Sequence, residues 1–211
     1  MTCKISIILP ARNEAEVLCD LLQKIRLQYP EDEIIVVDDG SNDDTERLCK
    51  SSDVTVVRHP YSKGNGAAIK TGARLAEADI LVFMDADGQH EPEKIPDLLN
   101  KIDEGYDMVV GTRSTTSQAS IARLCANTFY NWFASMIVGQ KIYDLTSGFR
   151  AVKADKFREF LHLLPNRFSY PTTCTMAFFR SGYTVGYIPI EAKQRVGKSH
   201  IKPIKDGLRF L

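Results

Sequence analysis

Several things are missing from this chain, and each absence excludes something. No run of about 18 consecutive apolar residues occurs, so no segment reads as a membrane-spanning helix. Lysine plus arginine and aspartate plus glutamate stand at 27 each, so no global field recruits nucleic acid, and none is expected as a partner. The five cysteines (Cys3, Cys19, Cys49, Cys125, Cys174) are scattered and form no Cys-x-x-Cys pair, which argues against a zinc ribbon or a redox motif. Reduced, buried thiols in the cytosol are the simplest reading. No secretory leader is expected, because Lys4 and Arg12-Asn13-Glu14 interrupt the apolar N-terminus. There is no internal repeat, low-complexity tract or evident linker, so residues 1–211 are expected to be one domain. There is also no Ser-His-Asp order and no Cys-His pairing to suggest a covalent step.

What is present is an alternation. Ile5 to Leu9, Ile34 to Val37, Val54 to Val57, Ile80 to Met84 and Met108 to Val110 are short apolar runs that read as buried strands. Between them, Glu14 to Gln28 carries Val17, Leu18, Leu21, Leu22 and Ile25 at helical spacing. Asp43 or Asp44 can cap a helix to Lys50, Gly66 to Glu77 reads as helix, and Pro92 suits the first turn of a helix ending near Gly105. Strands alternating with helices predict an α/β fold, a mostly parallel central sheet covered by helices on both faces, with right-handed crossovers. After Gly111 the rhythm changes. Ala119 to Val138 reads as one long helix rich in aromatics, Phe157 to Leu164 and Pro171 to Arg180 as helices, and Thr184 to Ile190 as a late strand. The chain ends at Gly207-Leu208-Arg209-Phe210-Leu211 in mid-pattern without a helix stop signal, as a piece cut from a longer chain would, and the sequence leaves open whether membrane segments follow.

The run ending at Met84 stops at Asp85-Ala86-Asp87-Gly88-Gln89-His90. Carboxylates at the C-terminal end of a buried strand stand where open α/β sheets bind ligands, and they suit a hard divalent cation beside a diphosphate. Turn capping by Asp is the plainer alternative. Pro10-Ala11-Arg12-Asn13-Glu14 and Asp38-Asp39 also fall at strand ends, and parallel strands should bring all three clusters to one edge. Lys63-Gly64-Asn65-Gly66 is glycine-rich but is neither a dinucleotide fingerprint nor a Walker loop. It reads either as a turn and helix start or as a backbone approach to a nucleobase.

Ile8-Leu9-Pro10, Asn13-Glu14, Val36-Val37-Asp38-Asp39-Gly40-Ser41, Asp85-Ala86-Asp87 and Ser147-Gly148-Phe149-Arg150 occur in that order. Together they resemble the inverting family 2 glycosyltransferases of GT-A fold, a Rossmann-like single domain. Within these, the chain is similar to the dolichyl- or polyprenyl-phosphate mannosyl- and glucosyltransferase branch. The resemblance implies that Pro10, Arg12, Glu14, Val37 and Asp39 surround the nucleoside. It implies that Asp85, Ala86 and Asp87 meet the diphosphate, with Asp85, Asp87 and Gln89 holding Mg²⁺ or Mn²⁺. Arg113 and Arg195 would bind phosphates, Asp87 and Arg113 being the catalytic pair, while Arg123, Asn127 and Ser147 would face the acceptor. Arg12 stands where the family commonly has an aromatic residue. The segment Arg195-Val196-Gly197-Lys198-Ser199-His200 is one residue shorter than the family pattern.

These residue types suit the chemistry. Breaking a sugar–diphosphate bond builds negative charge on the leaving group, which a cation and arginines stabilise. A lipid phosphate acceptor is already anionic, so positioning arginines matter more than a strong base, and direct displacement with inversion is expected. The expected partners are a nucleotide-diphosphate sugar donor and a polyprenyl phosphate at the cytosolic face of a membrane. A small soluble acceptor is one alternative, a sugar nucleotidyltransferase another. Lys193, Arg195, Lys198, Lys202, Lys205 and Arg209 against Asp206 make a basic tail suited to anionic phosphates. Single residues have plainer readings: His59 as a loop residue, His90 as closing the turn after Gln89, His162 as structural, and Trp132 and its aromatic neighbours as core or lipid groove. Asp144 could orient the acceptor or pair with Arg150.

Overall fold

The computed structural model describes residues 5–50, 52–113 and 121–191, with only the backbone at 121–127 and 129. Among these residues, seven strands form one sheet: β1 (Ile5–Ala11), β2 (Glu33–Asp38), β3 (Thr55–Arg58), β4 (Ile80–Phe83), β5 (Met108–Arg113), β6 (Arg150–Lys153) and β7 (Val185–Ile190). Their order is β3-β2-β1-β4-β6-β5-β7, and every neighbouring pair is parallel except those made by β6. The expected α/β architecture with a mostly parallel sheet is what the chain forms.

Side chains alternate along the strands, as a strand's period of two requires. Ile7, Leu9, Ile34, Val36 and Val82 face one layer with Leu18, Leu21, Leu22 and Ile25 of α1 (Ala15–Gln28) and Ile95, Leu98 and Ile102 of α4 (Ile95–Asp103). Ile8, Ile35, Val37, Leu81 and Phe83 face the other. There they meet Ala68, Ile69 and Ala73 of α3 (Asn65–Leu75), Phe157 of α6 (Ala154–Glu159), and Tyr170, Cys174 and Phe178 of α7 (Tyr170–Arg180). Each large aliphatic or aromatic side chain removed from water in these layers contributes about 1.5–3 kcal/mol. The short helix α2 (Thr45–Lys50) flanks β2, and α5 (Ile121–Val138) joins α7 through a small cluster of Ala134, Ile142 and Leu145 with Met176 and Phe179.

Three expectations need correction. The strand β6 was not anticipated. Its four residues, Arg150-Ala151-Val152-Lys153, carry a charge at each end and no apolar alternation; pairing with β4 and β5 makes them a strand. The helix expected over Phe157 to Leu164 is instead α6, Ala154–Glu159, followed by turns. Phe157, Phe160 and Leu164 are all buried, so their spacing mimics a helix. The chain there closes i→i+3 bonds from Phe160 to Phe157 (3.1 Å) and from Leu163 to Phe160 (2.9 Å). Thirdly, of the two readings of Trp132, core or lipid groove, the core one fails, since 59% of it is exposed.

The glycine-rich loop also has a structural explanation. A Cβ on Gly64 would stand 2.4 Å from the Asn166 carbonyl oxygen, and one on Gly66 2.2 Å from that of Pro165. The glycines therefore let the chain between α6 and α7 approach at the start of α3; of the two readings of this loop, the helix start is what forms, and the close approach is made by backbone of this chain. Gly66→Ala adds about 1 kcal/mol of helix propensity, but the clash is with backbone, which cannot swing aside. We expect a net loss of about 2 kcal/mol, as for an overpacked core, in urea unfolding. Unchanged or increased stability would contradict the close approach.

Candidate active site

β2, β1 and β4 are parallel neighbours, so their C-terminal ends share one edge. The expected convergence of three polar clusters follows directly. Because β6 is antiparallel, its beginning and the preceding Ser147-Gly148-Phe149 reach that same edge, as does Arg113 at the end of β5.

The loops after β1 and β2 are laced together. The Asn13 N–H donates to Ser41 Oγ (3.0 Å), the Asn42 N–H to Asn13 Oδ1 (2.8 Å), and the Glu14 N–H to Thr45 Oγ1 (3.2 Å). Arg12 is exposed, whereas Pro10 and Val37 are buried partners across β1 and β2. Asp38 is fully buried and receives both the backbone N–H (2.8 Å) and the hydroxyl (2.5 Å) of Ser41.

Asp39 is 4% exposed and turns its carboxylate onto the loop after β3. Oδ1 meets His59 Nδ1 (2.7 Å) and the Lys63 N–H (2.8 Å); Oδ2 accepts from the Ser62 hydroxyl (2.7 Å) and the Gly64 N–H (2.8 Å). His59 Nε2 in turn lies 3.0 Å from Thr71 Oγ1 on α3. His59 is therefore a buried link between β2 and α3, more than the loop residue the sequence suggested. The signal that could have found it is a histidine one strand away from an unpaired acidic doublet.

At the end of β4, Asp85 is half-buried, Ala86 and Asp87 are buried, and Gln89 is half-buried. Asp87 Oδ1 accepts from the Gln89 N–H (3.1 Å), and Asp85 Oδ1 from Asn65 Nδ2 (3.3 Å). Gly148 lies hard against Asp85: a Cβ there would stand 2.8 Å from Oδ2. His90 is buried and stacks on Phe149 with ring centroids 5.1 Å apart. Burial pushes its pKa down to about 4, against the pull of Asp87, so the imidazole is neutral at neutral pH.

Arg113 forks onto Asp144, with Nε to Oδ2 at 3.0 Å and Nη2 to Oδ1 at 3.1 Å, and Nη2 also reaches Thr146 Oγ1 (2.5 Å). Asp144 additionally accepts from the N–H groups of Thr146 (2.9 Å) and Ser147 (3.1 Å). Of the roles considered for Asp144, pairing with Arg150 is thus replaced by pairing with Arg113. Ser147 is 1% exposed, and its Oγ has no hydrogen-bond partner among the described residues. Arg123 and Asn127 fall on α5 where only the backbone is described, and Arg195 lies outside the described residues.

The donor set at β4 fits a hard cation in a specific way. No group of three or more His, Cys, Asp or Glu side chains able to hold a metal gathers among the described residues. Two carboxylates at a strand end are what Mg²⁺ or Mn²⁺ uses when substrate phosphates complete its shell, as opposed to a closed protein cage.

The anchoring carboxylates make an acid-sensitive frame. Burial alone raises Asp39 and Asp144. Hydrogen bonds from His59, Ser62 and two backbone N–H groups at Asp39, and from Arg113 at Asp144, outweigh it, so both fall below their ordinary 3.8. A carboxyl with a depressed folded pKa contributes stability above its unfolded pKa and loses it as pH falls through the folded one. Unfolding free energy is therefore expected to fall as pH drops below about 4, and Asp39→Asn with Asp144→Asn to flatten that slope. A pH-independent wild type across that range contradicts it.

Comparisons with known proteins agree with this architecture. A family model described as Glycosyl transferase family 2 matches residues 6–161. An undecaprenyl-phosphate mannosyltransferase of Micrococcus luteus is 30% identical over 202 residues, covering 89% of this chain and 83% of that protein. A polyprenol monophosphomannose synthase of Mycolicibacterium smegmatis is 30% identical over 204 residues, covering 90% and 77%. Among solved structures, glucosyl-3-phosphoglycerate synthase of Mycobacterium tuberculosis, in complex with Mn²⁺, UDP-glucose and phosphoglyceric acid, matches with a TM-score of 0.78 at 23% identity, over 99% of this chain and 75% of that one. At that identity the likeness speaks to the fold alone, which is the GT-A fold the resemblance implied.

Proposed function

The chain belongs to glycosyl transferase family 2, and on that premise we propose that it moves a hexose, mannose or glucose, from a nucleoside diphosphate onto a polyprenyl phosphate with inversion. Family membership makes it a glycosyltransferase, and the sugar nucleotidyltransferase alternative falls. The observation that carries the reading is the edge formed by Asp85, Asp87 and Arg113 at the ends of parallel-running β4 and β5, with Gly148 packed against Asp85. The lipid acceptor is supported by what the relatives at 30% identity are named for. It is supported also by α5, where Trp132, Phe133, Met136 and Ile137 are 44–60% exposed. Lys141 stands over Tyr143 just beyond that helix, an aromatic and basic mixture suited to a membrane surface. Among the described residues no helix is long and apolar enough to cross a membrane.

In this reading Pro10, Arg12, Glu14, Val37 and Asp39 frame the nucleoside, Val37 and Pro10 through their backbone. Asp39 acts there by fastening the Ser62-Lys63-Gly64 loop. Asp85, Asp87 and Gln89 would hold the cation, Ala86 would lie against the diphosphate, and Arg113 and Arg195 would bind phosphate. Arg123, Asn127 and Ser147 would serve the acceptor. Bound Mg²⁺ or Mn²⁺ would supply charge neutralisation for the departing nucleoside diphosphate. The acceptor's phosphate oxygen bonds to the anomeric carbon as the bond to the diphosphate breaks, and the nucleoside diphosphate leaves with the electron pair. No general base is needed, because the attacking oxygen is already anionic.

The test is to supply radiolabelled UDP- or GDP-hexoses with Mg²⁺ or Mn²⁺ and a detergent-dispersed polyprenyl phosphate. Label is expected in the organic phase. Label moving only to a small phosphorylated acceptor would overturn the lipid assignment.

A further inference from the structure

Arg150, the opening residue of β6, is fully buried, and no ion pair to a carboxylate is seen for it among the described residues. Its guanidinium spends itself on neutral acceptors: Nη2 donates to the Ser147 carbonyl, and Nη1 to the Pro171 carbonyl (3.3 Å) and Thr175 Oγ1 (3.3 Å) on α7. Burying an arginine without an anion is expensive, so a structural role alone is a poor reason for the residue.

Its grip on Ser147 has a counterpart. The Ser147 N–H is held by Asp144 (3.1 Å), itself locked by Arg113, while the Ser147 carbonyl is held by Arg150. The peptide groups on both sides of Ser147 are thus clamped by buried charges of opposite sign. The next residue is Gly148, whose Cα face closes on the Asp85 carboxylate. Among the described residues, buried polar atoms of the same segments lack hydrogen-bond partners: Ser147 Oγ, Tyr170 Oη, Arg150 Nε and Oδ1 of Asn65, whose Nδ2 reaches Asp85. Tyr170 senses both charges, since Asp85 adds to the rise that burial gives its phenol and Arg150 opposes it.

We propose that Arg150 is a positioning residue for the cation site: by holding the Ser147 carbonyl it keeps Gly148 against Asp85 and fixes the carboxylate in the orientation that meets the metal. This rests on the reading of Asp85 and Asp87 as cation ligands. Residues that orient metal ligands through such contacts typically change affinity by about 10–100-fold when replaced.

The test is Mn²⁺ binding without turnover, by electron paramagnetic resonance of free Mn²⁺ in the presence of a nucleoside diphosphate. Arg150→Met keeps volume and apolar packing. It is expected to weaken Mn²⁺ binding about tenfold or more at an unchanged melting temperature. Arg150→Lys, which can still donate to the carbonyl, should recover part of the loss. A folded Arg150→Met that binds Mn²⁺ like wild type would overturn the proposal. Should Arg150→Met not fold, Gly148→Ala acts on the same contact from the other side: weakened binding supports the proposal and unchanged binding sinks it. Wild-type protein that binds no Mn²⁺ with any nucleoside diphosphate would instead defeat the metal-site reading beneath it.

Discussion

Asp87→Asn is expected to lower the rate of sugar transfer by about a thousandfold or more while leaving the protein folded. Asn preserves the side-chain volume and the oxygen that accepts the Gln89 N–H at 3.1 Å, so the turn after β4 survives. What disappears is the charge. Asp87 is 7% exposed, and its field is poorly screened by water. A single preorganised group facing developing charge is worth about 10²–10³ in rate, and weakened cation binding adds to that. Initial rates at saturating Mn²⁺ beside thermal melts separate chemistry from stability. More than about a tenth of wild-type rate in a folded variant would contradict the assigned role.

The second large effect is expected at Arg113, where two consequences should separate. Arg113→Ala removes the fork that neutralises Asp144, whose side chain is 10% exposed. Breaking a buried pair costs about 3–5 kcal/mol. Arg113 is itself 30% exposed, and Thr146 and Ser147 still donate to Asp144, so about 2 kcal/mol is the better expectation. Transfer should fall further than stability does, by about 10²–10³, if the guanidinium also meets phosphate. Arg113→Lys keeps the charge without the planar fork and should restore only part of either. A variant that loses stability but keeps full kcat would reduce Arg113 to a brace for Asp144.

The parallel frame was readable because it is local. Ile5 to Leu9, Ile34 to Val37 and Ile80 to Met84 are buried on both faces and, Ser6 apart, apolar, and each is followed by a polar cluster at the edge where such sheets bind ligands. The elements that complete the site were less readable, since long-range contacts define them. Nothing in Arg150-Ala151-Val152-Lys153 signals a strand; two flanking strands impose it. Asp144 lies 31 residues from Arg113, and only the fold brings them within hydrogen-bond reach. Likewise, Gly64 and Gly66 announce a close approach, but what approaches is Pro165 and Asn166 from the far side of the chain. Trp132 shows the reverse problem. Its apolar spacing on α5 matches a core helix, and only the structure reveals that much of that face is exposed. Hydrophobic periodicity tells which residues avoid water, and leaves open whether protein or another apolar phase covers them.

The site stands or falls on where a metal settles. Crystals grown with Mn²⁺ and a nucleoside diphosphate, measured at the manganese absorption edge, should show one anomalous peak within coordination distance of the Asp85 and Asp87 carboxylates and of a diphosphate oxygen. A nucleotide bound at this edge with no peak there, or a peak at some other part of the molecule, would contradict the assignment.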